Sequence, residues 1–104
     1  KEKKKFFTER FKLNDNPTLS LETSVKNELG MHARPASQIA QLAETASCEV
    51  WLHMDSHKVD ASSIIDILAM CAVKGSQIRV EIEDEKDSAI LKEIVDFFES
   101  GFGE

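Results

Sequence analysis

From Leu19 onward, apolar and polar residues alternate. Leu19, Leu21, Thr23 and Val25 fall on one side, and Ser20, Glu22, Ser24 and Lys26 on the other. A period of two is that of a strand with one buried face. Gly30 breaks the pattern, and after it Ala36, Ile39, Ala40 and Ala43 recur at helical spacing. Their small side chains suit close packing against a sheet. Val50, Leu52 and Met54 alternate with Glu49, Trp51 and His53, giving a second strand, and Asp55-Ser56 can turn the chain into a short third strand over 58–61. Ser62 or Ser63 can cap a short helix containing Ile64, Ile65, Ile67 and Leu68. Gly75 marks a turn, and Ile78, Val80 and Ile82 alternate with Arg79, Glu81 and Glu83 as a fourth strand. A last helix, capped by Asp87 or Ser88, carries Leu91, Ile94, Val95 and Phe98 on one stripe and stops at Gly101. The order is βαββαβα. Each strand alternates, so one sheet face is wet and the helices cover the other. That is an open-faced two-layer α+β sandwich, with a four-stranded, mainly antiparallel sheet and three helices on one face.

Composition refines this picture in three ways. A chain of 104 residues makes one domain, but its ends differ in character. Residues 1–18 are basic, with a net charge of +3, and contain Phe6, Phe7 and Phe11 before the turn-forming run Asn14 to Pro17. We set 1–18 apart as an extension to a domain spanning 19–104. Three readings of it stay open: a frayed or partly docked tail, a surface-binding amphipathic helix, or a cloning remnant. The remainder has a net charge of −9, which argues against nucleic acid as its partner. No apolar run approaches the roughly 20 residues needed to cross a bilayer, and no apolar stretch near the start resembles a secretory signal. Two cysteines, Cys48 and Cys71, are too few for a disulfide framework. Both stand in apolar stretches and read as buried, reduced thiols of a cytoplasmic protein.

The candidate chemistry lies at the first strand-to-helix junction, Gly30-Met31-His32-Ala33-Arg34-Pro35-Ala36-Ser37. His32 falls at the helix start, and Pro35 is tolerated only because it stands in the first turn. Free backbone N–H groups and the positive end of the helix dipole suit an anion there. The Arg34 guanidinium, two residues on, suits phosphate oxygens. Imidazole is a good nucleophile near neutral pH. A histidine at a helix start is more often a simple surface or capping residue, so these features alone leave the functional reading open.

The stretch GMHARPAS resembles the active-site signature of HPr, the histidine-containing phosphocarrier of the phosphoenolpyruvate-dependent sugar phosphotransferase system. The order of elements from about Ser20 onward is also similar to that family. Ser62-Ser63-Ile64-Ile65, with Ser63 placed 31 residues after His32, resembles the family's regulatory serine motif. Ala72-Val73-Lys74-Gly75 resembles its turn into the last strand. The resemblance implies a cytoplasmic, monomeric bacterial carrier without a cofactor or metal, and not an enzyme. His32 would accept a phosphoryl group on Nδ1 from Enzyme I and pass it to IIA domains of sugar permeases. Arg34 would stabilise the phosphate, with Gly30 and Pro35 shaping the turn. Ser63 would be the target of HPr kinase/phosphorylase.

One departure from the pattern affects the partners. The family often carries lysines on its first and second helices, next to acidic partner surfaces. Here Arg34 is the only cation on the first helix and Asp66 stands on the second, which weakens electrostatic steering. A regulatory interaction module, controlled by the phosphorylation of His32 or Ser63 without sugar transport, is therefore the alternative. An independent enzyme using His32 is a third class, but no second base or metal set accompanies it. On the short helix, Ile64, Ile65, Ile67 and Leu68 span an arc of about 160°, wider than the roughly 100° a core stripe needs. Ile64, Ile65 and Leu68 are thus candidates for a partner-docking patch. His53 and His57 have the spacing of metal ligands, but they straddle a turn and lack a third ligand, so they read as structural or solvent-facing. The acidic run Glu81 to Asp87 reads as a solvated edge.

Overall fold

The structure, a computed structural model, describes residues 19–104; the basic segment 1–18 lies outside the described residues. Four strands, β1 (Leu19–Ser24), β2 (Val50–Met54), β3 (His57–Asp60) and β4 (Gln77–Ile82), form one sheet in the order β1-β4-β2-β3. Every neighbouring pair is antiparallel. Three helices, α1 (Ala33–Glu44), α2 (Ile64–Ala69) and α3 (Ser88–Glu99), complete the two-layer sandwich.

Alternation along the strands becomes alternation of whole rows across the sheet. Leu21, Val80, Leu52 and Val59 stand side by side in register, and Val80 and Leu52 are fully buried. The next row, Glu22, Arg79, His53 and Lys58, points the other way and leaves the second face charged. Ile39 of α1, Ile67 of α2 and Ile94 and Phe98 of α3 are each wholly removed from water and close the core. The alanines of α1 do what their size suggests: Ala36, Ala40 and Ala43 are buried.

The expected elements are all present, with shifts at their edges. The third strand begins at His57 and ends at Asp60, one residue earlier at each end than the expected span. β1 ends at Ser24, although Val25 beyond it remains buried.

Three expectations are corrected. Cys48 and Cys71 are exposed. Cys71 stands between the buried Met70 and Ala72, in a turn with φ of 57° that directs it outward. Cys48 lies in the α1–β2 loop, whose structural work is done by its backbone. Asp87 supplies the partner for that loop and makes no side-chain cap to α3. It is 3% exposed, and its carboxylate accepts hydrogen bonds from the backbone N–H groups of Ser47 and Cys48, at 2.8 and 3.0 Å. The acidic run is accordingly not a solvated edge throughout. Glu81 pairs with Nε2 of His53 at 2.5 Å, and Glu83 accepts from the indole of Trp51 at 2.9 Å.

Candidate functional site

The turn carrying His32 is built from two distant stretches of chain. Gly30 has φ of 74°, a region that L side chains avoid. A Cβ there would also lie 2.8 Å from the carbonyl oxygen of Ala72 and 3.1 Å from Cα of Val73. Glycine is thus required both for the turn and for the close approach of the 72–75 loop. That loop is fastened by hydrogen bonds from Met31 N to Ala72 O, Val25 N to Ser76 O, and Gly75 N to Val25 O. The two glycine-containing motifs of the sequence form one structure.

His32 is the N-cap residue of α1, with an extended backbone and no side-chain cap. Its carbonyl accepts the first helical bond, from Ala36 N at 3.0 Å. The imidazole is therefore free to face outward, beside first-turn amides that have no intrahelical acceptor. Pro35 is buried in that first turn, where its missing N–H removes nothing.

Two residues that sequence reasoning passed over complete the arrangement. After α3 the chain turns at Gly101, with φ of 66°, and runs through a single 3-10 turn, Gly101–Gly103. Phe102 anchors that turn. It is 1% exposed and its ring lies 5.1 Å from those of Phe97 and Phe98. This anchorage brings Glu104 to the imidazole, where Oε2 lies 2.5 Å from His32 Nε2 and 2.6 Å from Arg34 Nη2. The other oxygen, Oε1, accepts from Nδ2 of Asn27 at 2.8 Å. Hydrogen bonds from Asn27 above all, then from His32 and Arg34, hold the Glu104 carboxyl down to about 2. An ionised carboxylate can only accept, so Nε2 carries the proton and donates it. In the neutral ring the lone pair then lies on Nδ1, which makes no hydrogen bond to any described residue.

Arg34 is also tied to its own surroundings. It donates through Nη1 to Gln38 Oε1 and through Nη2 to the carbonyl of Phe102, both at 2.8 Å. Sequence alone could not place Glu104, seventy-two positions from His32, because its role depends on how Phe102 seats in the core.

The second motif is separate from this cluster in its bonding. Ser63 is the N-cap of α2 and accepts from Asp66 N at 3.2 Å. Ser62 is occupied otherwise: both its N–H and its hydroxyl donate to Asp60 Oδ1, at 2.8 and 2.7 Å. Within α2, only Ile67 turns fully inward. Ile65 is 77% exposed, and Ile64 and Leu68 are partly so; Leu29 and Val73 are further exposed apolar residues. The spacing of His53 and His57 leads to no joint site. They occupy adjacent rungs, opposite Lys58 and Met54 respectively, and so project to opposite faces of the sheet. Among the described residues no cluster of three or more His, Cys, Asp or Glu could hold a metal, and no helix is long and apolar enough to cross a membrane.

A family model described as "PTS HPr component phosphorylation site" matches residues 19–100. The chain is 40% identical to the phosphocarrier protein HPr of Chlamydia pneumoniae over 80 residues, 77% of this chain and 74% of that protein. It is 35% identical to the phosphocarrier protein NPr of Escherichia coli K12 over 88 residues, covering 84% and 98% of the two chains. Among solved structures, an HPr from Thermoanaerobacter tengcongensis superposes with a TM-score of 0.74 at 33% identity, covering 83% of this chain and 97% of the other.

Proposed function

The chain belongs to the HPr family of phosphotransferase-system phosphocarriers, and from that premise we propose that His32 accepts a phosphoryl group from Enzyme I and delivers it to IIA domains of sugar permeases. The observation that carries this reading is the imidazole held by Glu104 at Nε2, with a lone pair left on Nδ1 at the start of a helix. In the forward step, the Nδ1 lone pair forms a bond to phosphorus as the bond to Enzyme I breaks, and that electron pair leaves with Enzyme I. The reverse geometry, with a IIA nucleophile attacking, discharges the carrier. Positive charge that grows on the ring is balanced by the Glu104 carboxylate.

Arg34 serves the other end of the charge. Its guanidinium can exchange the Glu104 oxygen for a phosphoryl oxygen, joining the free amides of the first helical turn. Such preorganised donors act most strongly on the moving phosphoryl group. Gly30 and Pro35 set the turn that aims the ring. Ile64, Ile65 and Leu68 form the surface on which partners dock, and Ser63 is the residue an HPr kinase/phosphorylase would modify. Phosphate there lies next to the docking patch and at the favourable end of a helix.

The test is to incubate the protein with phosphoenolpyruvate and Enzyme I, then add a IIA domain. The expected result is an acid-labile, base-stable phosphate on the wild type, passed onward to IIA and absent from His32→Ala. Full labelling of His32→Ala would place the acceptor elsewhere. Uptake without onward transfer would replace the carrier reading with that of a regulatory module.

A further inference from the structure

Behind His32 and Glu104 lies Asn27, and we propose that it is a positioning residue: through the Glu104 carboxylate it keeps the imidazole proton on Nε2 and thereby selects Nδ1 as the reacting nitrogen. This rests on the reading of His32 as phosphoryl acceptor and names a residue that neither the motif nor the helix start contains.

Asn27 is 7% exposed. Its Nδ2 donates to the carbonyl of Gly30 at 2.9 Å and to Glu104 Oε1 at 2.8 Å. Its Oδ1 is buried without a hydrogen-bond partner among the described residues. An acceptor left unpaired in the interior is unfavourable, so packing does not explain an amide at this position. Its two donated bonds do. One ties Asn27 to the turn that carries His32, and the other fixes the far oxygen of the carboxylate.

The consequence for the ring follows from the inventory of partners. Glu104 Oε2 is shared between His32 and Arg34, whereas Oε1 has Asn27. When Arg34 turns to the phosphoryl group, Asn27 remains, among the described residues, as the anchor of the carboxylate other than the ring it orients. Without it the carboxylate can rotate or swing into solvent, and a neutral imidazole then distributes its proton over both nitrogens. A ring protonated on Nδ1 has no lone pair there to offer. Asn27 thus touches neither phosphorus nor the imidazole, and acts through Glu104.

Nitrogen-15 NMR of His32 reads the tautomer directly, without any partner protein. The neutral ring should be protonated at Nε2 in the wild type and should become a mixture in Asn27→Ala. The rate of phosphorylation by Enzyme I should fall on the order of tenfold, as for other residues that orient a ligand from behind. In a Glu104→Ala background, Asn27→Ala should change neither the tautomer nor the rate further. An equal loss of rate in both backgrounds would mean that Asn27 acts through the Gly30 turn alone and would overturn the proposal, as would an unchanged tautomer in Asn27→Ala. Asn27→Ser, which retains a donor for Gly30, covers the case of an alanine variant that does not fold. If His32 were not the acceptor, the tautomer result would stand and only the rate effect would vanish, so the two readings fail separately.

Discussion

At the scale of single residues, one carboxylate organises the site. Three donors converge on Glu104, and they hold its carboxyl down to about 2 against an ordinary value of 4.5. The sign of the pH dependence follows. A folded-state value below the unfolded one means that the contact contributes fully above about pH 4.5, fades as the pH falls, and is gone below about pH 2. Carbon-13 NMR of the Glu104 side chain should therefore show a midpoint near 2 in the wild type. In Asn27→Ala, which removes the largest cause, the midpoint should move up toward the ordinary value; a wild-type midpoint at that ordinary value would dissolve the cluster as described. Arg34 gives a second expectation. Arg34→Ala should slow transfer from Enzyme I by roughly a hundredfold, as for loss of one preorganised donor, while titration of Enzyme I shows little change in docking. Equal transfer rates would remove Arg34 from the mechanism. His32 and Arg34 were legible in the sequence because both lie within the helix-start motif. Asn27 and Glu104 were not, since nothing local distinguishes an asparagine before a turn or a glutamate beyond a helix.

At the scale of elements, alternation and helical spacing located all four strands and all three helices, because the sheet has one dry face and one wet one. The failures occurred where an element meets its neighbour. Asp87 looks like a helix cap in sequence, yet its side chain serves the backbone of Ser47 and Cys48 forty residues away. A local pattern cannot reveal a cap spent on another loop. The serine pair before α2 was ambiguous in sequence and is not so in structure, since Ser62 is bound to Asp60 and Ser63 caps the helix. Ser63→Ala should therefore lose about 1 kcal/mol of stability, a fall in Tm of roughly 4–8 °C. Ser63→Asp should keep the cap and melt near the wild type, while slowing the phosphorylation of His32. Calorimetry with a phosphorylation assay checks both. If Ser63→Asp is phosphorylated at the wild-type rate, the serine is only a cap.

At the scale of the whole molecule, α2 divides its isoleucines between core and surface, and the docking role proposed for the exposed ones can be measured. Ile67 is fully buried and Ile65 is 77% exposed. Ile67→Ala should lose about 2–5 kcal/mol of stability. Ile65→Ala should change stability by less than about 0.5 kcal/mol but weaken Enzyme I binding by roughly tenfold if the patch holds a binding hot spot. Urea unfolding and binding titration separate these outcomes. Loss of stability without loss of binding in Ile65→Ala would remove the patch as a docking surface.

The order of the strands also carries a statement about time. β4, which lies between β1 and β2, comes last of the four along the chain. While a growing polypeptide stops short of Gln77, β1 has no partner, and only the local hairpin of β2 and β3 can close. Joining β1 to β4 encloses the intervening half of the domain, the kind of long-range closure that folds slowly. The turn bearing His32 is fastened to the 72–75 loop just ahead of β4. The His32 turn and the sheet therefore mature in a single event, and on the proposed reading of His32 a nascent chain that has not finished its last strand has nothing to show a phosphoryl donor.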